Sequence, residues 1–111
     1  MEIVKNENND VVSLSFKGRL DAVSAPDAEK EVNAVLSAGS NQLLISLKDL
    51  EYISSAGLRV LLVAAKGIRS SNGKIILCSL SDNVKEVFEI SGFSSIFNIV
   101  DSEEEALQSF D

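Results

Sequence analysis

The run Leu43-Leu-Ile-Ser-Leu47 constrains the fold more than any other segment of this chain. It is nearly continuous in apolar residues, whereas a strand wetted on one face would alternate apolar with polar. It therefore reads as a strand buried on both faces, at the centre of a sheet covered by helices. Other segments supply the neighbours of such a strand. Val12, Leu14 and Phe16 alternate with Ser13, Ser15 and Lys17, which suits a half-buried strand that Gly18 ends. Glu2-Ile-Val-Lys5 reads as a short edge strand, joined to it antiparallel through a hairpin over the polar residues Asn6 to Asp10. Lys74-Ile-Ile-Leu-Cys78 and Ile96-Phe-Asn-Ile-Val100 complete the set of strands.

Helical signals fall between these strands. Ser24-Ala-Pro-Asp27 opens one helix, with Ser24 as cap, Pro26 in the first turn and Asp27 in a capping-box position; Ala28, Val32, Val35 and Leu36 follow at helical spacing, up to Gly39. A second helix runs from Leu58 to about Arg69 and closes at Asn72-Gly73. Ser81 caps a third, which carries Val84, Val87 and Phe88 and ends at Gly92, with Phe93 folding back on Phe88. Ser102-Glu-Glu-Glu105 opens a terminal helix through Leu107 and Phe110. The alternation predicts one α/β domain over residues 1–111, a mixed β-sheet of about four to five strands flanked by about four helices.

Composition excludes several function classes. Ten basic against seventeen acidic residues give a net charge of −7, which repels nucleic acid and anionic membranes. No apolar run is long enough to span a bilayer, and the N-terminus lacks a signal peptide's apolar stretch, so a cytoplasmic location is expected. Cys78 is the one cysteine and histidine is absent, which leaves no disulfide and no ordinary zinc ligand set. Cys78 reads as a buried strand residue. No nucleotide-binding glycine loop occurs, and no cofactor or metal is expected. A serine at a strand-to-helix turn could be a hydrolase nucleophile, but that chemistry needs a general base. With histidine absent and no motif supporting Lys66 in that role, no catalytic residue and no enzymatic activity are assigned.

The strand-to-helix junction Ser54-Ser-Ala-Gly57 holds the residues of most interest. Unpaired N–H groups and the positive end of the helix dipole converge there, so a phosphate on a hydroxyl would be accommodated without dismantling the fold. Simple N-capping by Ser54 or Ser55 explains the same spacing. Tyr52-Ile-Ser-Ser-Ala-Gly-Leu-Arg-Val-Leu-Leu62 closely resembles the signature of the STAS family, the sulfate transporter and anti-sigma factor antagonist domains. Gly18-Arg-Leu-Asp21, Leu44-Ile-Ser-Leu-Lys-Asp-Leu50 and Val87-Phe-Glu-Ile-Ser-Gly-Phe93 are similar to further family segments, in the family's order, so the resemblance covers essentially the whole chain.

The resemblance implies a function. In bacterial members a serine at this junction is phosphorylated by a partner that is both anti-sigma factor and serine kinase, and the unphosphorylated antagonist binds that partner and frees the sigma factor. By position the phosphorylated residue is Ser55, before Ala56-Gly57, and Asp21 matches the family's acidic residue beside the site. A PP2C-type phosphatase would reset the switch. This chain has Ser54 where many members place an aspartate, which makes Ser54 a rival acceptor and leaves a phosphorylation-independent interaction module as the alternative. Asp21 reads equally as a turn or cap residue.

The helix after Gly57 offers separate evidence. Leu58, Leu61, Leu62, Ala65 and Ile68 form one apolar face, and Val60, Val63, Ala64 and Gly67 cluster on the other side. A second apolar face must pack on a neighbour, for which the Val84–Phe88 helix is the candidate, or meet another protein. The expected partner surface comprises Asp21, Ser54, Ala56, Gly57, Arg59, Val60 and Val63.

Overall fold

The computed structural model describes residues 1–110. Strand β1 (Glu2–Asn8) pairs antiparallel with β2 (Val11–Leu20), and the connection shrinks to Asn9 and Asp10, with Asn9 at φ 58°. The polar stretch expected as a hairpin loop is thus mostly strand: at an exposed sheet edge, polar side chains face water while their backbone pairs. Helix α1 (Ala25–Ser37) leads to β3 (Gln42–Ser46), and β4 (Leu50–Ile53) precedes α2 (Ser55–Ser70). Then follow β5 (Lys74–Cys78), α3 (Asp82–Ser91), a 3-10 turn at Phe93–Ser95, β6 (Asn98–Val100) and α4 (Glu103–Gln108).

The sheet order is β1-β2-β3-β5-β6, parallel from β2 onward, and β4 pairs parallel with β2 as well. Six strands and four α-helices therefore form the mixed α/β domain among the described residues. The strand not foreseen is β4. It pairs with the second half of β2, whose first half pairs with β3. That requires β2 to continue past Gly18, which does not end the strand but bends it at φ 102°, its N–H bonded to the Asp49 carbonyl at 3.0 Å.

One face of the sheet carries the main core. Val12, Leu14, Phe16, Leu43, Ile45, Ile75 and Leu77 meet Ala28, Val32 and Val35 of α1, Leu58, Leu61, Ala65 and Ile68 of α2, and Val84 and Phe88 of α3. On the other face Val11, Leu44, Ile76 and Cys78 pack with Ala106 of α4 and with Phe110, which follows it, so among the described residues α4 and the turn after it cover this face. Leu43 and Leu44 thus face opposite ways, and both are fully buried, as the apolar run required. Cys78 is buried as expected, and burial pushes its thiol pKa up. No described helix is long and apolar enough to cross a membrane.

Most helix ends follow the capping chemistry. The Ser81 hydroxyl accepts from the Val84 N–H at 3.4 Å and Ser102 from Glu105 at 3.1 Å, while Gly92 closes α3 in the left-handed region at φ 80°. Ser24 differs. Its hydroxyl makes no cap bond to α1 and donates instead to the Arg19 carbonyl at 2.7 Å, because the preceding turn claims it. Phe93 stacks against Phe97 at 6.3 Å between centroids, and Phe97 in turn meets Phe88 edge-on at 5.9 Å.

Candidate functional site

Strands β2 and β4 end together. Leu20 pairs with Ile53, both are buried, and the Ser54 N–H donates to the Leu20 carbonyl at 3.0 Å. The residues that follow each strand are thereby neighbours: Asp21 on one chain segment, Ser54 and Ser55 on the other. Two segments separated by some thirty positions meet because a parallel ladder brings their carboxyl ends to one edge.

Gly57 explains how tightly α2 closes on that edge. It is buried, and a Cβ there would lie 2.6 Å from the Leu20 carbonyl oxygen and 2.8 Å from Cγ1 of Ile53. Only glycine fits.

The adjacent serines have different surroundings. Ser54 is the N-cap, extended at φ −100° and ψ 176°, and its hydroxyl accepts from the Gly57 N–H at 3.4 Å. Ser55 is the first helical residue and is exposed. The capping reading thus holds for Ser54, which is half-buried, and leaves the Ser55 side chain open to solvent. Ala56 is half-buried and Arg59 exposed.

Asp21 has the turn role read from sequence. Its Oδ1 accepts from the N–H of Val23 at 3.0 Å and of Ser24 at 3.2 Å, and its own N–H donates to the Ser24 hydroxyl at 3.0 Å. Chiefly through the bond from the Ser24 amide, with help from the Val23 amide, the Ser24 hydroxyl and the Arg19 charge, the carboxyl is held below its ordinary pKa. The acid at the site's border is therefore a fixed anion at neutral pH that organises its own loop.

Sequence reading missed the cluster beside it. The Arg19 guanidinium lies 4.3 Å above the Tyr52 ring and its Nε is 3.7 Å from Asp21 Oδ2. Tyr52 is 41% exposed and Val23 89%, the highest value of any large apolar side chain described. The cluster depends on the Arg19↔Tyr52 register of β2 and β4, a pairing that no local sequence pattern announces.

The second apolar face of α2 resolves into packing. Val60 is 2% exposed and Ala64 fully buried, so Val60 offers no surface to a partner, and Gly57 is buried too, both contrary to the expectation from sequence. The neighbour is α1, not α3: a Cβ on Gly67 would meet Cδ1 of Leu36 at 2.5 Å. The exposed line of α2 runs through Ser55, Arg59 and Lys66, with half-buried Leu62 and Val63 along its sides. Val63 thus keeps a place at the surface that Val60 lacks.

The chain is similar to known proteins along most of its length. The family model of the STAS domain matches residues 2–106. BtrV of Bordetella bronchiseptica, assigned by name as an anti-sigma factor antagonist, is 38% identical over 110 residues, covering 99% of this chain and 95% of that protein. The anti-sigma-B factor antagonist of Bacillus subtilis is 29% identical over 108 residues, covering 97% and 96%. A crystal structure from Thermotoga maritima, assigned to the same class, superposes with a TM-score of 0.93 at 29% identity, covering 97% of this chain and 93% of that one. With this match along nearly its whole length, on a fold that sets Ser54 and Ser55 at the start of α2, the chain belongs to the STAS domain family.

Proposed function

We propose that this protein is an anti-sigma factor antagonist whose unphosphorylated form binds an anti-sigma factor that is also a serine kinase, releasing the sigma factor, and that a phosphate on Ser55 switches this binding off. The observation that carries the reading is the division of labour between neighbouring serines. Ser54 commits its hydroxyl to the helix cap, while Ser55 holds an exposed hydroxyl at the start of a sixteen-residue helix, beside the unpaired N–H groups that favour a phosphate. The names of BtrV and of the Bacillus subtilis relative support the class of partner. Arg59 on the exposed line of α2 and half-buried Val63 beside it, with Asp21 at the border, form the docking surface. A PP2C-type phosphatase removes the phosphate. The protein acts in the cytoplasm as a binding switch, with no catalytic step of its own.

A phosphate carries roughly −1.5 to −2 charges into an interface formed around a neutral hydroxyl, at a cost of about 2–5 kcal/mol. At the helix start the same charge is favourable by about 0.3–1 kcal/mol, so recognition suffers while the fold stands. Incubation with ATP and each histidine-kinase-like anti-sigma factor of the same genome, followed by phosphopeptide mapping, is expected to give one phosphate, on Ser55. The phosphoprotein should bind its kinase roughly 30- to several-thousand-fold more weakly than the unmodified chain. Modification of Ser54 alone, or undiminished affinity of the phosphoprotein, would overturn the mechanism.

A second reading, a phosphorylation-independent STAS module or scaffold subunit, is favoured by one feature. Ser54 stands where the resemblance places an aspartate, and the first turn of α2 carries no acidic residue for a kinase to read. Stable partner binding with no transfer from ATP to any serine would select it.

A further inference from the structure

Two arginines belong to the Ser55 site, and only one is committed. Arg19 is held over the Tyr52 ring and against Asp21. Arg59 is exposed and forms no ion pair with any described residue. It stands four positions after Ser55 on the same helix, one turn along the same exposed line.

Helical geometry gives that spacing a direction. Residues four apart on a helix have Cβ atoms about 5–6 Å from one another. Each Cα–Cβ bond also tilts toward the helix N-terminus, so the Arg59 side chain leans back over the turn that holds Ser55. An anion placed N-terminal to a cation at this spacing is the favourable order, and here the dipole at the helix start favours the anion. A guanidinium, moreover, offers paired N–H groups that fit two phosphate oxygens at once.

We propose that Arg59 is the intramolecular partner of the phosphate on Ser55, so that phosphorylation silences two contacts together, the Ser55 hydroxyl and the Arg59 cation. This rests on Ser55 being the modified residue. Unmodified, the chain presents a free guanidinium next to a neutral hydroxyl, and a partner with an acidic patch can use both. Modified, the guanidinium turns inward to the phosphate, and the partner meets a surface that has lost its cation and gained an anion. The charged groups at the neighbouring β2 end are Asp21, held chiefly by the Ser24 and Val23 amides, and Arg19, whose Nε lies 3.7 Å from Asp21 Oδ2.

The test needs no kinase. Phosphoserine is installed at position 55 during translation, and the phosphate is titrated by phosphorus NMR in the otherwise unchanged chain and in Arg59→Gln, Arg59→Lys and Arg19→Gln. Arg59→Gln is expected to raise the titration midpoint by about 0.3–1 pH units, since removing the cation makes the dianion harder to form. Arg59→Lys should restore part of the shift, and Arg19→Gln should move the midpoint less than Arg59→Gln. An unchanged midpoint in a natively folded Arg59→Gln protein would overturn the proposal, as would a larger response to Arg19→Gln. A chain that no kinase modifies would still give this result, so failure of the pairing and failure of the phospho-switch are told apart.

Discussion

At the residue scale, the adjacent serines separate folding from signalling. Removing a cap hydroxyl costs about 0.5–2 kcal/mol, so Ser54→Ala should lower the denaturation midpoint measurably, whereas Ser55→Ala should leave it within about 0.5 kcal/mol of wild type. Chemical denaturation of the two variants side by side checks this, and equal losses would show that both hydroxyls are structural. Capping by Ser54 or Ser55 was legible in the sequence because caps leave local signatures, but which serine caps was not, and neither was the close approach of Gly57 to Leu20 and Ile53, which depends on the β2–β4 pairing. Asp21 was legible as a turn residue because its amide partners Val23 and Ser24 are close in sequence. The Arg19–Tyr52 contact was not, since cross-strand register is decided by the whole sheet. Val60 was assigned to the surface because a helical wheel shows which residues are apolar without showing what stands against them.

At the element scale, β4 and α2 show where periodicity fails. In β4, Leu50 and Ile53 are buried while Glu51 and Tyr52 between them are exposed, a pattern that breaks the period of two. The register explains it: Gly18 faces Leu50 and Arg19 faces Tyr52, so Glu51 is an extra residue on β4, and the bulge shifts its side chains out of alternation. Helix α2 looked two-faced because its buried arc is wide, embracing Leu58, Leu61, Ala65 and Ile68 toward the sheet and Val60 and Ala64 beyond them. Its two glycines should respond differently to alanine. At Gly57 the new methyl would meet the Leu20 backbone and Ile53, which cannot yield, and a loss of about 1–3 kcal/mol is expected. At Gly67 it would meet the flexible end of the half-buried Leu36, and the gain in helix propensity of up to about 1 kcal/mol offsets the displacement. Thermal unfolding of both variants decides; a Gly67→Ala loss as large as that of Gly57→Ala would mean that the α1–α2 contact is rigid.

At the scale of the whole molecule, the two faces of the sheet are unequally protected. Three helices cover one face, while the six-residue α4 with Phe110 covers the other, in one buried cluster with Cys78. The α/β class and the central position of β3 were readable from apolar runs, but nothing in the sequence assigned α4 to a face of its own. Phe110 is 6% exposed, and Phe110→Ala should destabilise by about 3–5 kcal/mol. Labelling of Cys78 by a thiol reagent should be slow in the native protein, because the thiol is buried and its pKa raised, and should accelerate in Phe110→Ala. Equal labelling rates would show that α4 is not what shields it. The strand order has a different consequence. Read across the sheet, β1, β2, β3, β5 and β6 stand in the order in which the chain presents them, and β4 docks on a stretch of β2 that β3 leaves free. A ribosome could therefore deliver this sheet strand by strand, each arrival extending an edge already in place, and no strand has to wedge between two that have paired.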